Sequence, residues 1–159
     1  MVQTNKEIRL VLHNLRSAQN VGALFRIADA VGVRKIYLTG YTPTPLDRFG
    51  SPNRAVVKTA LGAENYVAWE VYKTIGRLLD KLLADSFQLL ALEQSKNSIN
   101  YKKVKITSPT AIIVGNEVTG LSKAILKKCD IIAEIPMRGK KESLNVAVAS
   151  GIFLFQLFG

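Results

Sequence analysis

The sequence predicts an α/β fold: a mostly parallel sheet flanked by helices. Two observations carry this. Short runs rich in β-branched and other apolar residues alternate with longer helical stretches, the rhythm of strands joined by crossover helices. One run, AIIVG at 111–115, is apolar throughout, as an interior strand of a parallel sheet should be. With 159 residues, 48% of them hydrophobic and 21% charged, the chain has material for one sizeable core, so a single domain over 1–159 is expected.

In chain order, the predicted strands are 8–12, 35–39, 87–92, 111–115 and 131–135, each a short apolar run of strand length. The predicted helices are 20–31, 71–84, 122–128 and 144–158. Between Gly40 and Lys58 lies YTPTPLDRFGSPNRAVV, whose three prolines and glycine make it too irregular for a long element. It is expected to be a loop, with mobility left open. Arg48, Arg54 and Lys58 give that loop phosphate contact as a second reading beside a plain surface excursion.

Lys and Arg number 22 against 12 Asp and Glu, a formal charge of +10 that concentrates polyanions, so nucleic acid is the first partner to test. The lone Cys129 cannot form an internal disulfide, and no His/Cys cluster suggests a metal site; an intracellular, metal-free protein is expected. The opening MVQTNKEIRLVL lacks a signal-peptide h-region. The final apolar run contains Ser150, Gly151 and Gln156 and falls short of the roughly 20 residues a membrane span needs. It is expected to be a buried helix, with no membrane partner.

Three strands are each followed by an unusual polar stretch, where open α/β sheets gather their functional residues. The first is HNLRSAQNVGALFRIADA. If a helix starts near Asn20, Arg26 lies some 240° round from it, so the two do not share a stripe. Gly22 would let a backbone or a ligand approach closely. Arg26, set between Phe25 and Ile27, is either a snorkelling edge residue or a buried cation awaiting an anion.

The second stretch, GNEVTGLS, has neither the Gly-Lys-Ser/Thr ending of a phosphate loop nor the dinucleotide fingerprint. It leaves Glu117 to orient a polar substrate and Ser122 to cap the next helix. The third is PMRGKKESLN, in which Ser143 is a plausible N-cap of the last helix with Asn145 in its first turn.

Together, NVGALFRIA (20–28), IIVGNEVTGLS (112–122) and IPMRGKKESLNVAVA (135–149) resemble, in order and spacing, the three motifs of the SpoU (TrmH-like) RNA 2′-O-ribose methyltransferases of the SPOUT superfamily. The resemblance covers essentially the whole chain. It implies a SPOUT-type α/β knot with a deep C-terminal trefoil, S-adenosylmethionine as methyl donor, RNA as substrate and a homodimer whose site is completed at the interface. tRNA is expected ahead of rRNA because a minimal dimer must find its target by shape and charge, and the location is expected to be cytoplasmic. By position the resemblance assigns donor contact to Leu92, Gly115, Ile135 and Leu144, and the catalytic set to Arg26, Asn20, Glu117, Ser143 and Asn145. Val118 departs from the family's commonest form, which has glycine there, so the backbone should avoid a strongly positive φ at that position.

A ribose 2′-OH is a poor nucleophile at neutral pH, so in-line placement and relief of its proton are required. Arg26 matches the family's catalytic arginine. A guanidinium pKa above about 12 favours a role in clamping the adjacent phosphate and stabilising developing alkoxide charge. The base stays open between phosphate, water and a deprotonated guanidinium. Asn20 is assigned with Arg26 to the ribose-phosphate, Glu117 and Asn145 to orientation, and Ser143 to capping and a substrate bond. The alternative is a non-catalytic RNA-binding module that keeps the fold. No separate RNA-binding domain is expected.

Overall fold

Parallel strands buried on two faces need helices on both, and the chain supplies them by alternating the two element types. The computed structural model describes residues 6–158. Its strands are β1 (Ile8–His13), β2 (Lys35–Thr39), β3 (Ala68–Tyr72), β4 (Gln88–Leu92), β5 (Ile99–Asn100), β6 (Thr110–Val114) and β7 (Ile131–Glu134). Its helices are α1 (Ala18–Val31), α2 (Arg54–Ala60), α3 (Ile75–Ala84), α4 (Lys123–Lys128) and α5 (Val146–Phe158). All strands join one sheet in the order β3-β2-β1-β6-β4-β7-β5, every neighbouring pair parallel.

β6 is the central strand and pairs with β1 in register, Leu10 opposite Ile112 and Leu12 opposite Val114. Every residue of β6 is buried. Alternation then divides the core: Leu10, Leu12, Ile36, Leu38, Ile112 and Val114 pack with the apolar sides of α1, α2 and α5. Val11, Tyr37, Leu89, Ala91, Ala111 and Ile113 face Leu78, Leu79 and Leu82 of α3 and Ile125 of α4. This two-faced burial is why the strands read as continuous apolar runs.

Helix ends follow local chemistry. Ser17 caps α1 by accepting the Asn20 N–H at 3.1 Å, so the helix begins at Ala18, two residues before the expected start, and Gly32 ends it at φ 87°. Ser122 caps α4 as expected, accepting the Ile125 N–H at 3.3 Å. At α5 the expectation fails: Asn145, not Ser143, is the cap, its Oδ1 accepting from the N–H groups of Ala147 (2.9 Å) and Val148 (3.2 Å). An asparagine one residue before the helix reaches these free donors; a serine two residues earlier does not.

Three further corrections concern elements. Val71, expected in a helix, lies in β3, and α3 begins only at Ile75. The stretch read as a loop runs into α2, whose first residues, Arg54–Val57, fall inside it; the helix is capped by Asn53 and anchored by buried Val56 and Ala60. The two-residue β5 was not expected. Among the described residues no helix is long and apolar enough to cross a membrane.

Gly22 stands where α1 meets α2: a Cβ there would collide with the Thr59 hydroxyl and the Val56 carbonyl, and that hydroxyl donates to the Gln19 carbonyl at 2.9 Å. The glycine therefore serves a backbone approach rather than a ligand. Gly76, near the start of α3, has open space where a methyl would stand and no positive φ. The same substitution should act oppositely at the two sites. Gly22→Ala should lower stability by about 1–3 kcal/mol through overpacking, and Gly76→Ala should raise it by about 0.5 kcal/mol through helix propensity. Urea unfolding midpoints of the two variants check both signs.

Candidate active site

The carboxyl ends of β4, β6 and β7 send out loops that turn toward the N-terminus of α1, and a pocket of ≈ 630 Å³ opens among them. Eight of the nine residues singled out from sequence line it: Leu92, Gly115, Glu117, Ile135, Ser143, Leu144 and Asn145, with Asn20 reaching in from α1. Arg26 does not line it. It is exposed on α1, as its angular offset from Asn20 requires.

The motif residues are stitched to one another. Glu117 accepts the backbone N–H groups of Arg16 (2.9 Å) and Ser17 (3.0 Å), clamping the loop after β6 to the start of α1. Asn20 Nδ2 donates to the same carboxylate at 3.4 Å, and Asn145 Nδ2 donates to Asn20 Oδ1 at 3.1 Å. Since Asn145 also caps α5, one relay joins all three polar stretches. Burial would raise the Glu117 pKa, but the N–H groups of Arg16, Glu117 itself and Ser17, with the Asn20 amide, outweigh it and hold the carboxyl below its ordinary value. Ser143 sits exposed on the rim.

Two residues that sequence reasoning passed over shape the loops. Buried Asn116 accepts from Val118 N (2.8 Å) and Thr119 N (2.9 Å), and its amide donates to the Asn14 carbonyl and the Tyr41 hydroxyl, both at 3.0 Å. Val118 keeps a negative φ, as expected, because the left-handed turn falls on Gly120 at φ 66°. A Cβ on Gly120 would strike the Glu93 carboxylate, which accepts from Leu121 N at 2.9 Å. The only signal for Asn116 and Glu93 was adjacency to Glu117 and Leu92.

The pocket's charge opposes that of the chain. Glu93, Glu117, Glu134 and Glu142 line it, with no lysine or arginine, in a protein of formal charge +10. Leu92, Val114, Ile135, Met137, Leu144 and Val146 supply apolar wall. Such a site suits a ligand with an apolar body and positive charge, and it disfavours a bare phosphate. No group of three or more metal-ligating side chains occurs among the described residues.

A parallel sheet whose polar loops close on a concave site beyond the strand carboxyl ends defines an α/β protein with a pocket where such folds commonly seat ligands. Within that class, the chain belongs to the SpoU rRNA Methylase family, whose model matches residues 7–155. It is 30% identical over 156 residues to the tRNA (guanosine(18)-2′-O)-methyltransferase of Escherichia coli (strain K12), covering 98% of this chain and 65% of that protein. In structure it is similar to the Aquifex aeolicus TrmH/SpoU tRNA modifying enzyme, with TM-score 0.82, 32% identity, and coverage of 96% of this chain and 74% of the other. It is also similar to an AdoMet-bound rRNA methyltransferase from Sinorhizobium meliloti, with TM-score 0.81, 26% identity, and coverage of 94% and 55%. The chain thus spans less than two-thirds of the length of two of these three proteins.

Replacing Glu117 by glutamine leaves one oxygen where two N–H donors converge. Glu117→Gln should lower stability by about 1 kcal/mol, the low end for charged hydrogen bonds because the carboxylate is partly in water. Because the folded pKa is depressed, the wild-type advantage should be full at neutral pH. It should shrink as pH falls below the ordinary glutamate value of 4.5 and through the lowered folded value. Urea midpoints of both proteins from pH 7 down to pH 3.5 measure this.

Proposed function

We propose that this chain is the catalytic unit of an RNA 2′-O-ribose methyltransferase that uses S-adenosylmethionine and acts in the cytoplasm, on tRNA ahead of rRNA. The observation that carries the reading is the acid-lined, cation-free pocket in a strongly basic body. The body suits a polyanionic substrate and the pocket a cationic donor. The named activities of the E. coli, A. aeolicus and S. meliloti relatives support the same class.

The residues present fit the donor. Leu92, Ile135 and Leu144 offer apolar surface, Gly115 adds backbone without a side chain, and the glutamates favour positive charge. When bound, S-adenosylmethionine supplies a sulfonium methyl open to attack by oxygen. The chain's part is placement: Asn20, Glu117 and Asn145 hold one another and the substrate edge of the pocket in register, and Ser143 offers a rim hydroxyl to the ribose. Arg26 clamps the phosphate beside the ribose and stabilises charge developing on its oxygen. The loop ties account for Glu93 and Glu117 but not for Glu134 and Glu142, whose charge a non-catalytic module would leave without a role.

Arg26 lies outside the pocket of its own chain, which supports a homodimer in which it serves the second copy. α5 carries an exposed stripe of Val148 (50%), Ile152 (39%) and Phe155 (54%) at i, i+4 and i+7, an apolar face suited to a second copy. Gly151 of α5 lies against Ile27, the neighbour of Arg26, so α5 packs beside the turn of α1 that carries the arginine. We also propose that the C-terminal segment threads the trefoil knot; in support, β4 lies between β6 and β7, which both follow it in the chain. The strands of residues 6–158 all join one sheet, which supports a single domain over the described residues.

Purified protein with labelled S-adenosylmethionine should methylate RNA from cells lacking this chain, and nuclease digestion should recover a 2′-O-methylnucleoside. Absence of both transfer and donor binding by calorimetry would overturn the proposal. Arg26→Lys should lower kcat by about 10²-fold with donor affinity unchanged, because an ammonium cannot reproduce the planar fork. Phe155→Glu should give monomers in sedimentation, with transfer lost while the donor still binds. A fully active monomer would remove the shared-site arrangement.

A further inference from the structure

We infer that the turn formed by residues 46–52 is a stacking platform for an unpaired RNA segment next to the modified ribose, with a base laid on Phe49 and phosphates taken by Arg48, Arg54 and Lys58. This rests on the RNA-methyltransferase reading and adds a substrate surface that the pocket does not contain.

The first observation is that the turn is built. Asp47 Oδ1 accepts the N–H groups of Phe49 (2.8 Å) and Ser51 (2.9 Å), the Asp47 N–H donates to the Ser51 carbonyl at 2.7 Å, and the Gly50 N–H returns to Asp47 O at 3.0 Å. Leu46 and Pro52 bridge antiparallel below it, the Asn53 N–H reaches Pro45 O at 2.8 Å, and Gly50 supplies the φ of 79° that closes the turn. A segment with three prolines and this many internal bonds is pre-organised.

The second is what the turn displays. Phe49 is 78% exposed, and the Arg48 guanidinium lies over its ring at 4.7 Å from the centroid. A phenylalanine held out of the core by a dedicated hydrogen-bonded turn costs solvation unless something covers it. A ring and a guanidinium plane together are the surfaces on which unstacked bases lie.

The third is place and charge. The segment leaves β2 at Tyr41, which is 62% exposed and whose hydroxyl accepts from Asn116, a residue lining the pocket. It returns into α2, where exposed Arg54 and Lys58 stand at i and i+4 on one face. Residues 41–58 hold three cations and one carboxylate, and that carboxylate is taken up by the turn. The surface is therefore complementary to a polyanion and repels its own copy, unlike the uncharged stripe on α5.

The test uses the full chain and a 12-nucleotide oligouridylate carrying one 2-aminopurine, read by fluorescence. Phe49→Ala should weaken binding by about 5- to 100-fold, the range for loss of one stacked base, and Phe49→Trp should restore it. Arg48→Gln should weaken binding and reduce its salt dependence. Donor affinity by calorimetry should stay at the wild-type value in all three. Binding of Phe49→Ala within twofold of wild type overturns the platform, as does a shifted monomer–dimer equilibrium with RNA binding intact, which would make the turn a subunit contact. Phe49-dependent oligonucleotide binding in a wild-type protein without methyl transfer would sustain the platform and sink the enzyme reading alone.

Discussion

The site depends on one carboxylate. Glu117 leaves the loop after β6 and accepts the backbone N–H groups of Arg16 and Ser17, which stand immediately before α1. Those donors precede the helix whose N-terminal end carries partial positive charge, so an ionised side chain is favoured there twice, by hydrogen bonds and by the dipole. Asn20 and Asn145 extend the contact across 97 and 125 residues of sequence separation. Loops arising from strands far apart in the chain are thereby held to a common geometry, and α5 is capped by the same residue that ends the relay.

That arrangement changes how the polar set is understood. In the isolated chain, Asn20, Glu117 and Asn145 commit their hydrogen-bonding capacity mainly to one another and to nearby backbone. Under the proposed function their value would be pre-organisation, because these bonds already shape the pocket edge in the unliganded chain. The neighbouring Glu93 repeats the device on the other side of the loop, accepting from Leu121 N, where Gly120 leaves it room. A loop tied at both ends by carboxylates makes the pocket acidic as a consequence of its own architecture, and the same charge then selects a cationic occupant.

What was legible in the sequence follows from which signals are local. The strands β1, β2, β4, β6 and β7 declared themselves because burial on both faces demands unbroken apolar runs, and the pocket residues declared themselves as polar stretches directly after such runs. β3 was hidden because it sits at the sheet edge, where AWEVY mixes exposed and half-buried positions and merges with the helix after it. α2 has only 7 residues, too few for periodicity to outweigh the prolines before it. The cap of α5 was misassigned because serine and asparagine are both good caps, and only the helix start distinguishes them. The 240° offset of Arg26 from Asn20 was readable, being about six steps of 100° round the helix, but it carried no indication of what lies opposite the arginine.

The last helix brings these threads together. An apolar helix with no polar face is expected to be buried all round. Yet in one chain only part of α5 is covered: Ala147, Ser150, Phe153 and Leu154 face the core, with the Ser150 hydroxyl satisfied by the Val146 carbonyl at 2.7 Å, while Val148, Ile152 and Phe155 face water. The sequence pattern is thus that of a helix with two apolar neighbours, and one chain provides one. The pocket is likewise provided with an orienting set but no cation to meet a phosphate, while Arg26 stands exposed on α1, outside it. A second copy seated on the α5 stripe would answer both deficits at once, and this coincidence is the strongest structural argument that the proposed catalytic unit is a pair of chains.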